Sequence, residues 1–178
     1  MGNRILRIEF TKPVDKTFPI FSYGIRAIQR TKYSHVRLRW INSTGRDIVY
    51  EASGSSIKFV GTLAQKDHKV EVIKYYEIDL DREHYVGLID LCMTYADVSY
   101  GVLQIFGMLI AYTFNMEKNP FADGKYSQVC SELVGRFLEE VMGWDVDVNL
   151  DVAGPLQIDQ CLERLAARKL VRIGVDIV

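Results

Sequence analysis

The sequence predicts an α+β fold built as a single domain over residues 1–178. Segments with the two-residue period of strands fill the first half of the chain, and segments with a helical period fill most of the second half. A length of 178 residues, with 48% apolar and 25% charged side chains, is typical of one globular domain with a sizeable core. No internal repeat or low-complexity linker divides the sequence.

The strands are predicted from the alternation of apolar and polar residues between turn signals. The turn NSTGR joins two of them as an antiparallel hairpin, in which Val36, Leu38 and Trp40 share one face. The predicted strands are RILRIEF (4–10), SHVRLRWI (34–41), DIVYEAS (47–53), SSIKFVG (55–61) and KVEVIKYYEIDL (69–80). The C-terminal segment LVRIGVDIV is expected to add a last strand to the sheet.

The helices are predicted from apolar residues spaced three and four apart and from signals at the helix ends. Proline stands in the first turn of the first and last helices, Asp81 can cap the second, and Gly143 can end the fourth. The predicted helices cover residues 18–31, 81–97, 102–114, 127–142 and 155–165.

The third predicted helix, VLQIFGMLIAYTF (102–114), carries the strongest apolar run. Its length corresponds to about 20 Å of helix, which is too short for a bilayer core of about 30 Å. We therefore expect a buried core helix and no transmembrane segment. Contact of this helix with a lipid interface is the alternative.

Charge, cysteine usage and short motifs argue against several classes of function. A formal net charge of -1 argues against broad binding to nucleic acid. Three widely spaced cysteines do not suggest a disulfide framework, and no secretory signal opens the chain, so a cytoplasmic protein is the default expectation. Delivery by a phage particle or release on lysis is the alternative. Neither CxxC, HxxxH nor P-loop spacing occurs, so we expect no metal and no cofactor, while the oligomeric state stays open.

One cysteine, Cys130, lies near the predicted start of the fourth helix, in KYSQVCSELVGRFLEEV. If Ser127 caps this helix, Cys130 is its third residue and lies near unpaired backbone N–H groups and the positive end of the helix dipole, which favour a thiolate. Val134, Phe137 and Val141 share its face. Because cysteines on apolar helix faces usually serve packing, the pattern alone leaves both interpretations open.

His35 and Glu51 are candidate partners for a nucleophilic thiol, which needs a base and a group that orients the base. The other two histidines lie in charged, surface-type segments, whereas His35 begins a strand with bulky apolar alternation. The sequence allows two registers of the hairpin. His35 lies opposite Glu51 if the loop has three residues, and Arg37 lies opposite Glu51 if it has five. In both, His35 and Glu51 share a face. Alternatively, His35 is a rim or surface histidine on the polar face of its strand, and Glu51 is an exposed carboxylate or a partner for Arg37 or Arg39.

Three segments, YSHVRLRW, IVYEASGSSIKFV and YSQVCSELV, together resemble the circularly permuted branch of the NlpC/P60 papain-like superfamily. This branch includes YiiX-like proteins and is related to lecithin retinol acyltransferase-like enzymes. The family's histidine strand, Glu-Ala strand and Cys-Ser-Glu-Leu-Val helix match His35, Glu51 and Cys130 in this order.

Two further segments are similar to the family, and one departs from it. SYGVLQIFG resembles the family's tyrosine-led apolar helix, and the helix that begins at Pro155 resembles its proline-led helix. The resemblance covers about residues 20–165. At RIEFTKPVD the chain departs from the family pattern, which usually has a Gly-Asp strand there.

The resemblance implies a permuted papain-like fold, with an antiparallel sheet or barrel packed against the cysteine helix, and a Cys-His-Glu thiol hydrolase. Cys130 would attack a carbonyl to form a thioester, His35 would accept and return the proton, and Glu51 would orient His35. The helix N-terminus would bind the oxyanion. Tyr126 is either a substrate-binding residue or an ordinary loop aromatic that packs at the helix start.

Three classes of function follow from these expectations. The preferred class is a peptidase or amidase that acts on a peptide or a peptidoglycan fragment. The second class is an ester, thioester or lipid hydrolase or acyltransferase, favoured if the apolar helix 102–114 opens onto the cleft. The third class is a binding or structural protein that keeps the fold without turnover, and the intact triad counts against it.

Overall fold

A sheet and a set of helices form the α+β fold that the order of strands and helices predicts. The computed structural model describes residues 4–14, 19–53, 56–61, 70–96, 98–121 and 127–174. The strands are β1 (Arg4–Pro13), β2 (His35–Ile41), β3 (Asp47–Ser53), β4 (Ser56–Gly61), β5 (Val70–Leu80), β6 (Ser99–Tyr100), β7 (Ser127–Gln128) and β8 (Arg172–Gly174). The helices are α1 (Pro19–Gln29), α2 (Arg82–Thr94), α3 (Val102–Phe114), α4 (Cys130–Arg136), which continues as a π-helix over Phe137–Val141, and α5 (Pro155–Ala167).

The strands form one open sheet in the order β7-β6-β4-β3-β2-β1-β5-β8. Neighbouring strands are antiparallel, except that the short strands β6 and β7 are parallel. The C-terminal segment returns to the sheet, as expected, where β8 pairs with β5. The fold class is thus confirmed as α+β with an open sheet.

The β2–β3 hairpin has the longer of the two registers that the sequence left open. Leu38 pairs with Tyr50, and five residues, 42–46, connect the strands. The side chain of Asn42 accepts a hydrogen bond of 2.9 Å from the Arg46 backbone N–H, and Gly45 has a φ of 76°. Asn and Gly supply the local hydrogen bond and the positive φ that such a turn requires, so turn chemistry selects the loop length.

The main core lies between one face of the sheet and helices α2, α4 and α5. Leu6, Ile8 and Phe10 of β1 are fully buried there, and they pair with the apolar residues of β2. Helix α4 is central, because each of its first six residues is buried. Burying a large aliphatic or aromatic side chain contributes about 1.5–3 kcal/mol, so this layer holds the start of α4 firmly against the sheet.

The start of α4 differs from the prediction. Ser127 does not cap the helix, because pairing with β6 holds Ser127 and Gln128 in the extended strand β7. Val129 is the N-cap residue, with φ −103° and ψ 159°, so Cys130 is the first helical residue rather than the third. The far end agrees with the prediction, since Gly143 has a φ of 64° just after the π-helix ends.

Helix α3 is buried on one side only, which corrects the expectation of a buried core helix. Its inner face packs in a small second cluster formed by Ile25, Ile105, Met108, Leu109 and Val129. On its outer face Leu103 and Phe114 are 70% and 73% exposed. Among the described residues, no helix has both the length and the apolar character needed to cross a membrane.

Candidate active site

The first residue of α4 and the first residue of β2 meet in the fold. Backbone N–H groups of Val36 and Ser131 lie near the Cys130 thiol and lower its pKa by hydrogen bonding. The Cys130 and His35 side chains also interact with each other, and the interaction shifts the pKa of both groups. The thiol therefore lies against both the beginning of its own helix and the beginning of the neighbouring strand.

The chain that leads into β2 is anchored on several sides, which fixes the position of His35. The Tyr33 hydroxyl donates a hydrogen bond of 2.5 Å to the Asp159 carboxylate on α5. The Ser34 backbone N–H donates to the Thr11 carbonyl of β1 at 3.0 Å. Because Tyr33 and Ser34 are both buried, these contacts hold the strand entry in one place.

Glu51 lies on the neighbouring strand, on the same face as His35. Continued by one step, the β2–β3 register sets Glu51 opposite Arg37 and diagonally across from His35. The His35 Nε2 and Glu51 Oε2 atoms are 3.6 Å apart. This separation is slightly longer than a hydrogen bond, and such contacts often tighten when substrate binds. Since Nε2 faces Glu51, Nδ1 is the ring nitrogen that remains for Cys130.

The pKa values of the two groups shift in opposite directions. Burial would raise the pKa of the Cys130 thiol, but the His35 imidazole and the two backbone N–H donors outweigh it, so the pKa is lowered. Burial would lower the pKa of His35, but the Cys130 thiolate and the Glu51 carboxylate outweigh it and raise the pKa to about 10. Both shifts favour a thiolate–imidazolium pair, the reactive form of a nucleophilic cysteine.

Sequence reasoning named four site residues, and three of them come together. Cys130, His35 and Glu51 form a contiguous group. Tyr126 lies outside the described residues. Sequence reasoning missed the Val36 backbone N–H as a donor to the thiol, because no residue type marks a backbone donor.

The sequence analysis also missed the buried ion pair that Glu9 forms. This residue is buried on β1 and pairs with Arg37 at 2.7 Å. The sequence did contain an indication of this pair, because the charged residue Glu9 stands between the core residues Ile8 and Phe10. In the sheet it faces the charged side of β2. The β1–β2 pairing was needed to see which charge it meets.

A pocket of about 620 Å³ lies between the C-terminal end of α3 and α5. The residues that line it include Tyr112, Asn149, Ala153, Gln157 and Arg164. Neither Cys130, His35 nor Glu51 lines this pocket. Near one edge of the pocket, the Ser131 hydroxyl donates a 2.5 Å hydrogen bond to the carbonyl of Ala153, one of the lining residues.

The site residues are suited to acyl transfer: a thiol, a base and a carboxylate that orients the base. Within the described ranges, no group of three or more His, Cys, Asp or Glu side chains is arranged to hold a metal ion. No known family model and no curated protein matches this sequence. A function is therefore inferred from the geometry of Cys130, His35 and Glu51.

Proposed function

We propose that the protein is a cysteine hydrolase with a permuted papain-like fold of the NlpC/P60 type, which cleaves an amide bond in a peptide or peptidoglycan-type peptide. The observation that carries this proposal is the interacting pair of Cys130 and His35 at a helix start, with Glu51 Oε2 3.6 Å from Nε2 of the imidazole. The histidine strand precedes the cysteine helix along the chain, which is the permuted order.

The reaction proceeds in two halves. The Cys130 thiolate attacks the carbonyl carbon, and the developing oxyanion accepts hydrogen bonds from backbone N–H groups at the start of α4. The His35 imidazolium donates its proton to the leaving amine, the C–N bond breaks, and a thioester remains on Cys130. His35 then removes a proton from water, and the resulting hydroxide attacks the thioester carbonyl. The C–S bond breaks, which releases the carboxylic acid and returns Cys130 to the thiolate beside the His35 imidazolium. Glu51 keeps the imidazole oriented through both halves.

The test of this proposal measures covalent acylation of Cys130. We expect a short peptidyl p-nitrophenyl ester to leave one acyl group on Cys130, seen in intact-protein mass spectra and located by peptide mapping. Cys130→Ser should slow loading by at least about 100-fold, whereas the matched control Cys161→Ala should load normally. If peptidyl and long-chain acyl esters both fail to load, and a peptidoglycan digest is also untouched, the protein is a binding protein that retains the fold.

A second candidate function is an ester, thioester or lipid hydrolase or acyltransferase, and α3 supplies the observation that favours it. The outer face of α3 presents exposed apolar side chains, with Phe106 stacked on Phe121 at 6.1 Å between ring centroids. The inner face of the same helix packs on Val129, the residue before the nucleophile. An exposed apolar surface on a helix that packs against the residue before Cys130 suits an acyl chain.

Chain length separates the two candidates. If the acyl candidate is correct, p-nitrophenyl esters of long chains should load Cys130 faster than the peptidyl ester, and Phe106→Asn should slow only the long-chain reaction. Val86→Asn, which alters an exposed apolar residue on α2, is the matched control. A peptidyl preference that Phe106→Asn leaves unchanged supports the amidase.

A further inference from the structure

We propose that Arg37 and Glu9 are positioning residues of this site, a buried ion pair that holds Glu51 where it can orient His35. This inference rests on the proposed function, because it concerns how the catalytic imidazole is held. It assigns a role to two residues outside the Cys-His-Glu group.

The geometry consists of a row of alternating charges across three strands. Arg37 is 4% exposed, and its Nε and Nη2 atoms lie 2.8 Å and 2.7 Å from Glu9 Oε2. Its third nitrogen, Nη1, is 3.8 Å from Glu51 Oε2. That same oxygen is 3.6 Å from His35 Nε2. The row therefore runs from Glu9 through Arg37 and Glu51 to His35, and His35 contacts Cys130.

Glu9 is itself held at both oxygens. Its Oε1 accepts a hydrogen bond of 3.0 Å from Arg39 Nη1, and Arg39 in turn binds Asp47 at 2.6 Å. Glu9 is 1% exposed, so neither oxygen exchanges freely with water. Arg37 and Arg39 thus both bind Glu9, and this set of ion pairs lies next to Glu51.

Stability alone does not account for this arrangement. A buried ion pair contributes little or nothing to folding compared with apolar side chains of the same volume. The distribution of charge points to a role in the site instead. Glu51 Oε2 is shared almost equally between an imidazole and a guanidinium. Glu9 neutralises Arg37, which leaves the Glu51 carboxylate available to His35 rather than drawn fully onto the arginine.

Several other charged or titratable groups face the Glu51–His35 pair from the surrounding elements. Lys58 of β4 pairs in register with Glu51, and Thr11 of β1, which is uncharged, pairs with His35. The charged or titratable groups are Glu9 on β1, Arg37 and Arg39 on β2, Asp47 on β3, Lys58 on β4 and Cys130 on α4. Glu9 is the acidic residue among them that binds Arg37 directly.

The main test compares Glu9→Gln with Glu77→Gln. Both variants remove one carboxylate that pairs with an arginine on the sheet, but Glu77 binds Arg7 on the neighbouring strand pair. In Glu9→Gln, the uncompensated Arg37 should attract Glu51 and repel the imidazolium. We expect the pH at which His35 loses its proton, followed by NMR of 15N-labelled histidine, to fall by about one unit. We also expect kcat for the peptidyl p-nitrophenyl ester to fall about tenfold with KM little changed. Glu77→Gln should alter neither quantity.

A double variant keeps the inference testable if Glu9→Gln does not fold. Glu9→Leu with Arg37→Met removes both charges and leaves no buried charge unpaired. We expect a folded protein with kcat reduced about tenfold, because Glu51 is no longer held, while the amount of alkylatable Cys130 is unchanged. An unchanged kcat in this variant, or identical behaviour of Glu9→Gln and Glu77→Gln, contradicts the positioning role. If instead the wild type neither loads acyl groups nor shows a raised His35 titration, the proposed function itself fails.

Discussion

Cys130 and Cys92 lie in the same apolar core, on helices that pack against the same sheet, yet they differ in chemistry. Both are buried, at 4% and 0% exposure. Burial raises the pKa of the Cys92 thiol, whereas the pKa of the Cys130 thiol is lowered. Burial alone therefore does not set the pKa of a thiol in this core.

The difference lies in where each thiol stands along its helix. Cys130 is the first residue of α4, where backbone N–H groups and the start of β2 converge on the sulfur. Cys92 lies near the C-terminal end of α2, and its backbone carbonyl accepts a 2.6 Å hydrogen bond from the Tyr50 hydroxyl. The third cysteine, Cys161, resembles Cys92, because burial also raises its pKa.

The largest expected effect is selective alkylation. At pH 6, iodoacetamide should label Cys130 at least about 100-fold faster than Cys92 or Cys161, since a lowered pKa keeps the thiolate populated as pH falls. Peptide mapping by mass spectrometry measures the three rates. In guanidinium chloride all three should react alike, which provides the control. Equal rates in the folded protein would mean that Cys130 serves packing as Cys92 does.

Removal of the imidazole should abolish most of this selectivity. In His35→Ala, burial acts on the Cys130 thiol with less opposition, so its pKa rises and labelling at pH 6 should slow by more than about tenfold. His84→Ala is the matched control, because His84 lies on α2 and pairs with Asp81. Labelling that is equally fast in both variants would show that the backbone N–H donors, rather than the imidazole, activate the thiol.

A smaller effect is expected from Glu51→Gln. The carboxylate contributes to the raised His35 pKa, so the alkaline limb of kcat/KM for a peptide amide, expected near pH 10, should move to lower pH. In the proposed mechanism the His35 imidazolium donates a proton to the leaving amine, and this proton is lost at a lower pH when the pKa of His35 falls. Activity should drop by about tenfold rather than vanish, since nucleophile and base remain.

The control for this variant is Asp79→Asn. Asp79 is on β5 and pairs with Arg172, so the same change of charge occurs away from Glu51 and the imidazole. The alkaline limb of kcat/KM should stay at the same pH. A shift of the same size in Asp79→Asn would mean that net charge, rather than contact with His35, sets the profile.

The sequence was sufficient for those features that depend on strict local periodicity. Because side chains alternate along a strand, His35 and Glu51 share a face whatever the register of the hairpin. The choice of register depended on the hydrogen bond from Arg46 to the side chain of Asn42. That hydrogen bond lies within the loop itself, but the sequence spacing of the two strands does not show whether the five-residue loop is more stable than the three-residue loop.

Features that depend on distant pairing were not predictable. Ser127 has the residue type of a helix cap, but its pairing with Ser99 decides that it is a strand residue. The exposed face of α3 was missed because hydropathy does not indicate what covers a helix. The Glu9–Arg37 pair needed the register of β1 against β2.

The smallest expected effect concerns stability, and it tests whether Cys92 serves packing. If Cys92 serves packing, Cys92→Ala creates a small cavity in the core and should lower the free energy of unfolding by about 1 kcal/mol. If Cys130 is the nucleophile of the proposed reaction, its surroundings are arranged for reactivity at a cost in stability, so Cys130→Ala should have a smaller effect than Cys92→Ala. Urea unfolding of both variants, with unchanged m-values, gives the two differences. A larger loss for Cys130→Ala would indicate that the thiol contributes to packing as much as to chemistry, and the contrast between the two cysteines would then rest on their alkylation rates alone.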